Sequence, residues 1–509
     1  MYVCHCKCHV MTTYREFFDI IRTIPRPSHY EDKIADFLCR FADEHHLAYR
    51  RDAHNNVVIE KPASPGYEDH EPVVLLNHMD MVCVSAPDKQ FNPLSDAIDA
   101  IVYDEIDEKT GATHSWMKAN GTSLGADNGI GLSMALAILA DDSLPHPPLE
   151  VLTTTNEEDG MSGASHLSPT FIRGRKVINL DSEAYDETTV ASAGAIIQEA
   201  HLPISRVAMP KDYVAYTISV SGGKGGHSGV DINKGRANAI KVLANLLLVA
   251  IRQCDIKLYI VSFQGGQAAA SIPSEAEAKV VIPKDNSSDF LCLVAQCNYA
   301  LIKQFGETDP DIIIHAEPSV WHSSVMSEET TQVLLASINA VPVGVLQMSP
   351  DDITPLTSNN IGLVTLNSKP SSELCSPEHQ RSARTLNLTF HTRSFIDSEM
   401  RRIASEIEKI YHLSGATVTK VMESPAWTES DTTLLQLTNS VFRDVLGFEP
   451  RAVSMHFVLE AGYLVNVFPG LHIVSIGPRI LEPHSIHERV DLNTCDDIWR
   501  VTLELLKRL

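Results

Sequence analysis

Apolar runs alternate with amphipathic stretches along the chain, and the two patterns predict different elements. Short runs rich in β-branched residues predict buried strands at 57–61, 73–78, 149–155, 176–180 and 471–476. Apolar residues spaced three and four apart predict helices at 14–42 (broken at Pro25 and Pro27), 130–139, 431–446 and 495–508. Strands that alternate with helices indicate an α/β fold, in which helices flank a mostly parallel sheet. Residues 84–120, which include Pro87, Pro93 and Gly111, are predicted to be rich in loops and to lie at the surface.

The pattern changes between about residues 196 and 422. Residues 213–220 alternate between apolar and polar side chains, as in a half-buried strand, and 235–253 predict a helix. Further strands are predicted at 256–263, 276–282, 311–315, 361–367 and 384–391, and further helices near 287–304, 327–340 and 397–413. We therefore predict an α/β domain at 196–422, inserted into a first domain that is formed by 12–195 and 423–509. Residues 1–11, which contain a cluster of cysteine and histidine, are expected to form a disordered tail.

Composition narrows the class of protein. The 509 residues are too many for one ordinary core and fit two or three domains. The formal net charge of -24 disfavours nucleic acid or an anionic membrane as a partner. No apolar run approaches the ~18 residues of a membrane span, and the first residues lack a secretory apolar core. Ten irregularly spaced cysteines fit reduced thiols, so we expect a cytoplasmic protein.

Polar side chains with metal-binding chemistry follow three of the predicted strands. His78 and Asp80 end one strand, Glu157 and Glu158 follow another, and Asp181 follows a third. In a parallel sheet the carboxyl ends of the strands share one edge, where ligands bind. Each feature alone has a plainer interpretation, because paired acids usually form a solvated turn and a histidine at a strand end is usually structural. Their repetition at three strand ends favours a shared site.

Two further residues extend this set. Asp127 precedes the apolar helix in GTSLGADNGIG, where it could equally be a simple helix cap, and His484 lies in PHSIHE near the C-terminus. Two imidazoles and three carboxylates suit a pair of borderline cations such as zinc. Asp127 can bridge both ions, but the spacing leaves open how the other four ligands divide between them. Two such cations can activate a water molecule and polarise a carbonyl, with the non-ligand Glu157 as proton acceptor.

The motifs, in their order, resemble those of the metallopeptidase family that includes carnosinases, glutamate carboxypeptidases and deacylases. The resemblance covers residues 12–509 and rests on NHMDMV, GTSLGADNGIG, EVLTTTNEEDGMSGA, INLDSE, GGKGGHSGVDI, and VSIGP followed by PHS. Within the family it is closest to the cytosolic enzymes that cleave aminoacyl-histidine dipeptides. The resemblance implies a zinc-peptidase-like fold with two Zn2+ per subunit, for which Co2+ or Mn2+ can substitute.

The resemblance also implies a role for each candidate residue of the first domain. One zinc would be bound by His78 and Asp181 and the other by Glu158 and His484, with Asp127 as the bridge. The resemblance places a cis peptide bond directly after Asp127. The remaining implied roles are orientation of His78 by Asp80, general-base catalysis by Glu157, and substrate binding by Glu460.

The inserted domain resembles the lid and dimerisation domain of the family. The histidine matched by His227 reaches the partner subunit's active site in relatives and stabilises the oxyanion there, so we expect a homodimer. Arg393 matches the arginine that binds a peptide's C-terminal carboxylate, for which its planar fork is suited. Without the resemblance the GGHSG segment around His227 is ambiguous, although it lacks both the lysine-serine pattern of a P-loop and the spacing of a nucleophile elbow.

Two residues depart from the family pattern. Ala270 stands where relatives often have an asparagine that contacts substrate, and Val458 stands where they have glycine. Neither belongs to the candidate metal set, so the departures concern substrate preference. We predict a cytosolic di-zinc enzyme that hydrolyses small unblocked dipeptides, with those ending in histidine as candidates. The alternatives are an N-acyl amino acid deacylase or a tripeptidase of the same family, and a non-catalytic scaffold that binds metal or peptide.

Overall fold

The fold is that of a computed structural model, which describes residues 13–108, 110–350, 353–367 and 385–509. The tail predicted at 1–11 lies outside the described residues. The helices, in chain order, are α1 (Tyr14–Ile21), α2 (Asp32–Glu44), α3 (Ala126–Ala140), α4 (Ser162–Ser165), α5 (Ala239–Arg252), α6 (Ser287–Phe305), α7 (Glu328–Ala340), α8 (Asp397–Leu413), α9 (Thr433–Leu446), α10 (Glu460–Val467) and α11 (Leu492–Arg508).

The strands, in chain order, are β1 (Ala48–Arg51), β2 (Val57–Lys61), β3 (Val73–His78), β4 (Ala100–Ile106), β5 (Thr113–Ala119), β6 (Leu149–Thr154), β7 (Lys176–Asn179), β8 (Glu187–Ser192), β9 (Gly194–Pro203), β10 (Arg206–Ala208), β11 (Tyr213–Ser221), β12 (Tyr259–Gly265), β13 (Ala276–Pro283), β14 (Ile313–Ser319), β15 (Ser324–Met326), β16 (Gly344–Met348), β17 (Pro355–Asn367), β18 (Thr385–Ser394), β19 (Thr417–Ser424), β20 (Trp427–Thr428), β21 (Arg451–Met455), β22 (His472–Ser475), β23 (Ile480–Leu481) and β24 (Arg489–Asp491). Every strand and helix predicted from the apolar pattern is present, with shifts of a few residues at the ends.

The first compact unit contains the described residues up to Ala191, together with Trp427–Ser454 and Leu459–Leu509. Its main sheet has the strand order β1-β2-β6-β3-β7-β22-β8-β20, with β21 beside β8. The central strands β6, β3, β7 and β22 are parallel, whereas β1 pairs antiparallel with β2, β2 with β6, and β8 with β22. The predicted parallel sheet is therefore confirmed at its centre, and the flanking strands make the whole sheet mixed.

Strand β3 is buried along its whole length, as expected for a central parallel strand with an unbroken apolar run. It pairs with β6 in a register that sets His78 opposite Thr154, the last residue of β6. On its other side, Leu76 lies opposite Asn179, the last residue of β7. The three strands therefore end at the same edge of the sheet, and the residues that follow them leave the sheet together.

Helix α3 lies inside the first unit, and its side chains are buried at every position from Ala126 to Leu139. It belongs to a large apolar core with α1, α2 and α11, which contains Phe18, Leu136 and Val501. Gly131 allows a close approach, because a Cβ atom at this position would lie 2.4 Å from the carbonyl oxygen of Leu180. The start of α3 is thus held against the segment that follows β7.

The region 84–120, predicted to be loop-rich, contains two strands that the apolar pattern did not predict. Strands β4 and β5 form an antiparallel hairpin, which continues through β24 to β23 in a four-stranded sheet. Most side chains of β4 are exposed, including Ile101, Val102 and Ile106. A strand with so little buried surface has no clear alternation of apolar and polar residues, so the pattern missed it. The expected surface position is confirmed for β4.

The second compact unit contains Ser192–Ala426 without the residues left undescribed, together with Met455–Val458. Its large sheet has the order β14-β11-β13-β12-β17-β18-β9-β19, with antiparallel pairing along this path and β16 beside β17. One apolar core joins these strands to α5, α6, α7 and α8. Strand β19 was not predicted, because this edge strand has mostly exposed or half-buried side chains.

No helix within the described ranges is both long and apolar enough to cross a bilayer.

Candidate active site

The ends of the central strands carry the candidate metal ligands of the first unit. His78 is the last residue of β3, Asp181 follows β7 by two residues, and Glu158 follows β6 by four. His78 and Asp127 are buried, whereas the side chain of His484 is about half exposed, at 46%. The structure brings all five predicted ligands together, although they come from positions between 78 and 484 of the chain.

Asp127 lies between the two imidazoles. Its Oδ1 is 3.0 Å from His78 Nε2, and its Oδ2 is 3.1 Å from His484 Nε2. His78 Nε2 is also 3.2 Å from Asp181 Oδ1, and His484 Nε2 is 2.9 Å from Glu158 Oε2. The contacts therefore form two clusters that share one carboxylate, the first with His78 and Asp181 and the second with His484 and Glu158.

These clusters have the composition of metal sites. In each of them, one imidazole nitrogen and two carboxylate oxygens lie within 4.8 Å of one another. The buried Glu158 Oε1 has no hydrogen-bond partner in the described part of the chain. Imidazole and carboxylate are ligands that borderline divalent cations accept. The donor set is therefore suited to a pair of cations, with one oxygen of Asp127 available to each.

The acids of the two clusters outnumber the imidazoles, and their pKa values reflect it. Burial, together with the charge of Asp127, raises the pKa of Glu158 to about 7. Burial also raises the pKa of Asp181 to about 6, although His78 opposes the shift. Burial lowers the pKa of His484, but bonds to Asp127 and Glu158 outweigh it and bring that pKa to about 11. A divalent cation would supply the missing positive charge, so the residues present fit a metal.

Asp127 does not act as a simple helix cap. Its two carboxylate oxygens contact the imidazoles of His78 and His484. Its peptide bond to Asn128 is cis, as the resemblance implies. The carboxylate that accepts the N–H groups at this helix start is Glu488, which bonds the amides of Leu124, Gly125 and Ala126 at 2.7–2.9 Å. Sequence reasoning missed Glu488, although it lies four residues after His484. Asp127 is thereby left free to face the imidazoles.

Asp80 joins two of the ligand segments. Its Oδ1 lies 3.5 Å from His78 Nδ1, which is longer than a good hydrogen bond, and it accepts the amide of Glu157 at 3.0 Å. Its Oδ2 accepts the amide of Glu158 at 3.2 Å and the hydroxyl of Ser28 at 2.8 Å. Asp80 therefore lies behind His78 and fixes the turn that carries both glutamates.

Two further carboxylates stand beside the clusters. Glu157 is half-buried. One of its carboxylate oxygens lies within 4.8 Å of a ring nitrogen of His78 and of a carboxylate oxygen of Glu158. Burial raises the pKa of Glu157 well above its usual range, and the charges of Asp181 and Glu158 add to the shift. Glu460, the first residue of α10, is buried and accepts the hydroxyl of Thr154 at 2.8 Å. Burial raises its pKa to about 8.

The second unit places His227 beside Arg393. The Nη2 atom of Arg393 lies 3.5 Å from His227 Nε2 and 3.5 Å from His391 Nδ1. Arg393 is only 3% exposed, and it forms no ion pair with any carboxylate among the described residues. Burial and the charge of Arg393 lower the pKa of His227 to about 4, so its imidazole is neutral at pH 7. A buried cation that has no ion-pair partner within the described ranges therefore faces this histidine.

The hydrogen bonds of His227 indicate where its proton lies. The backbone amides of Gly229 and Val230 donate to its Nδ1 at 3.3 and 3.2 Å. Because Nδ1 accepts, the neutral ring carries its proton on Nε2, on the side of Arg393. Arg393 Nη2 and His227 Nε2 are therefore two neighbouring hydrogen-bond donors. The carbonyl of Ala270, one of the two departures from the family pattern, accepts the amide of Ser228 at 2.7 Å and supports this segment.

Comparisons with known proteins agree with the motifs. Residues 74–508 match the peptidase family M20/M25/M40. The cytosol non-specific dipeptidase of Escherichia coli (strain K12) is 31% identical over 500 residues, which are 97% of either chain. A crystal structure of the aminoacylhistidine dipeptidase from Vibrio alginolyticus has 32% identity and a TM-score of 0.82, and the match covers 97% of this chain and 96% of that one.

A tripeptidase from Staphylococcus aureus shares the fold at only 13% identity, with a TM-score of 0.56 and coverage of 98% of this chain and 99% of that one. The predicted zinc-peptidase-like architecture is confirmed by these structural matches. The family match covers most of the sequence, and the Escherichia coli relative extends it to nearly the full length. The chain therefore belongs to the peptidase family M20/M25/M40, which confirms the resemblance seen in its motifs.

Proposed function

We propose that the protein is a dipeptidase that hydrolyses small, unblocked dipeptides with the help of two divalent cations. The observation that carries this proposal is the pair of donor clusters that share Asp127, with Glu157 beside them. The names of the two relatives with 31% and 32% identity, both dipeptidases, support the substrate class. The name of the Vibrio relative makes dipeptides that end in histidine the first candidates.

The metal ligands divide by contact. His78, Asp181 and one oxygen of Asp127 would hold one cation, and His484, Glu158 and the other oxygen of Asp127 would hold the second. Membership of a metallopeptidase family implies a divalent metal, and the mixed nitrogen and oxygen donors favour Zn2+, with Co2+ or Mn2+ as substitutes. When bound, the cations polarise the scissile carbonyl and make a water molecule more acidic.

Glu157 is the proposed general base. It is next in sequence to the ligand Glu158, yet it is not part of either shared cluster, so its carboxylate remains available for proton transfer. It would take the proton of the attacking water and deliver it to the leaving amine. Asp80 would orient His78 from behind and hold the turn that carries Glu157.

Substrate binding is assigned to three residues. Arg393 is a buried cation that lacks an ion-pair partner in the described structure, and this suits the C-terminal carboxylate of a peptide. His227 presents a neutral Nε2–H, a donor suited to an oxyanion in the partner subunit's active site. Glu460 offers a buried carboxylate near His78, which suits the ammonium group of an unblocked peptide.

We further propose that the first unit is the catalytic domain and that the second is a lid that also forms a homodimer. The exposed edge of the second unit's sheet supports this role: β14 pairs only with β11 among the described strands. Next to that edge, α6 exposes Tyr299 and Ile302, and β14 itself exposes Ile313. A second copy of the chain could cover these apolar side chains and pair with the free edge. Sedimentation velocity of the purified chain tests the dimer.

A cytoplasmic location is proposed from the cytosolic relative and from the reduced cysteines that the sequence predicts.

A substrate panel tests the proposed function. Dipeptides with a free amino group, the same dipeptides after N-acetylation, and tripeptides would each be incubated with the enzyme, with and without a chelator. We expect hydrolysis of the free dipeptides, which the chelator abolishes. Preference for the acylated compounds would favour a deacylase, and preference for tripeptides a tripeptidase. Bound metal without turnover of any compound would favour a binding scaffold.

A further inference from the structure

The connection between α1 and α2 contacts the metal-ligand segments, although it contributes none of the candidate ligands. This connection lies before residue 74, where the family match begins. Its residue Arg26 is only 1% exposed and is among the largest fully buried side chains of the protein. Burial of a guanidinium group costs free energy unless hydrogen bonds compensate for the lost hydration. The hydrogen bonds of Arg26 therefore indicate its role.

Arg26 joins the end of β3 to the start of α3. Its Nη1 donates to the carbonyl oxygens of Met79 at 3.1 Å and Asp80 at 2.6 Å, directly after His78. Its Nη2 donates to the carbonyl oxygen of Gly125, two residues before Asp127. The backbone carbonyl of Arg26 accepts the amide of Met81 at 3.1 Å, so main chain and side chain hold the same segment.

The approach of Arg26 depends on a glycine at the start of α3. A Cβ atom at Gly129 would lie 2.7 Å from Arg26 Nη2 and 2.9 Å from the ring of Phe18. Any larger side chain at this position would push the guanidinium away from the backbone that it binds. The first glycine of the ADNGIG motif therefore has a packing role toward Arg26.

Two residues that follow Arg26 in the chain, Ser28 and Glu31, also bond to segments that carry candidate ligands. The hydroxyl of Ser28 donates to Asp80 Oδ2 at 2.8 Å. Glu31 Oε1 accepts the backbone amide of Asn156, the residue before Glu157, at 3.0 Å. Residues 26–31 thus bond to the segments after β3, before Asp127 and after β6. They hold three of the five chain segments that supply the candidate ligands.

The partners of Arg26 are backbone carbonyls, and it forms no ion pair in the part of the chain that the structure describes. Its charge nevertheless acts on the carboxylates of Asp80, Asp127 and Glu488 nearby. A cation at this position reduces the repulsion among these acids, and its planar fork fixes the distance between two peptide segments.

We infer that Arg26 is a positioning residue that sets the spacing of His78 and Asp127 and thereby the affinity of the site for its metal ions. The inference rests on the metal ligands named in the proposed function. It predicts that loss of the guanidinium weakens metal binding by about 10- to 100-fold in the folded protein, as is typical for residues that orient ligands. A merely structural role would lower stability without changing the affinity of the folded molecules.

The test compares Arg26→Met with Lys61→Met. Lys61 is a matched control, because it is also a buried basic residue of the first unit and its Nζ donates to the carbonyls of Ile138, Leu139 and Asp141 at the other end of α3. Metal-free protein would be titrated with Zn2+ in competition with a chromogenic chelator, and the visible spectrum of the Co2+ form would report ligand geometry. Circular dichroism would establish the folded fraction.

We expect Arg26→Met to show weaker Zn2+ binding and an altered Co2+ spectrum, and Lys61→Met to match the wild type in both. Equal Zn2+ affinity in Arg26→Met and the wild type would overturn the inference, and so would an equal loss in Lys61→Met. If Arg26→Met does not fold, Arg26→Lys is the second variant, because it keeps the positive charge but lacks the planar fork. A Zn2+ affinity of Arg26→Lys equal to that of the wild type would overturn the inference. Failure of the wild type to bind Zn2+ would instead contradict the proposed function.

Discussion

His484 lies 3.1 Å from the carboxylate of Asp127, although 357 residues separate the two along the chain. The other oxygen of that carboxylate faces His78. One side chain therefore connects a histidine of the central sheet with a histidine near the C-terminus, and both proposed cations share it as a ligand. Substitutions at Asp127 and at its partners should consequently differ in how many metal ions they remove.

Asp127→Asn should lose both metal ions, because the amide has no charge and only one oxygen to offer. Asp181→Asn, which affects only the cluster of His78, should lose one ion. Metal content after dialysis, measured by inductively coupled plasma mass spectrometry, checks both expectations. Retention of two ions by Asp127→Asn would show that this carboxylate is not a bridge.

Glu157→Gln should lower kcat by about 10²- to 10⁴-fold, because the amide cannot accept the proton of the attacking water. Its metal content should remain that of the wild type, since Glu157 lies outside the two clusters that share Asp127. Steady-state kinetics on a free dipeptide, with metal analysis of the same preparation, measures both. A variant with normal kcat would remove Glu157 from the proposed role.

Glu488→Gln should destabilise the protein by about 1–3 kcal/mol, because the carboxylate accepts buried amides of Leu124, Gly125 and Ala126 and an amide group has only one acceptor oxygen. The matched control is Glu482→Gln, since Glu482 is exposed in the same segment. Thermal unfolding of both variants measures the difference. Equal midpoints for Glu488→Gln and the control would contradict this account of the helix start.

Stability of the second unit should fall as the pH drops below about 6.5. Burial and the charge of Arg393 lower the pKa of His456 to about 3 and, with the same causes, that of His227 to about 4. The unfolded chain therefore binds more protons than the folded protein between these values and 6.5, and acid favours unfolding. At pH 5 each histidine should cost about 2 kcal/mol relative to pH 7.

His456→Gln tests the pH dependence, with His322→Gln as a control at an exposed histidine. His456 Nε2 lies 2.8 Å from the hydroxyl of Ser358, a contact that an amide can replace. Urea unfolding would be measured at pH 7 and pH 5. The decrease in the urea midpoint between these pH values should be smaller in His456→Gln than in the wild type, and His322→Gln should show the same decrease as the wild type. The same loss in all three proteins would refute the assignment to His456.

The sequence predicts the central strands and the ligand segments well, because buried strands carry an unbroken apolar signal and end in the chemically distinctive residues His78 and Asp181. It predicts less where a residue acts through backbone atoms. Arg26 stands between two prolines, in a connection that looks like a solvent-exposed loop, and its partners are carbonyl oxygens, which leave no trace in a sequence. Glu488 was missed for the same reason, since its partners are amides. Exposed strands such as β4 are not predicted, because little of their surface is buried and their sequences carry no apolar pattern.

Helix α3 has no face toward solvent from Ala126 to Leu139. An element enclosed in this way cannot shift to absorb a change in the volume of its neighbours, so a cavity or an overpacked side chain near Leu136 would be transmitted along its axis toward Asp127. The packing of the apolar core and the position of Asp127 are thus coupled through α3. Natural selection for turnover would then also constrain methyl groups several helical turns away from the nearest reacting atom.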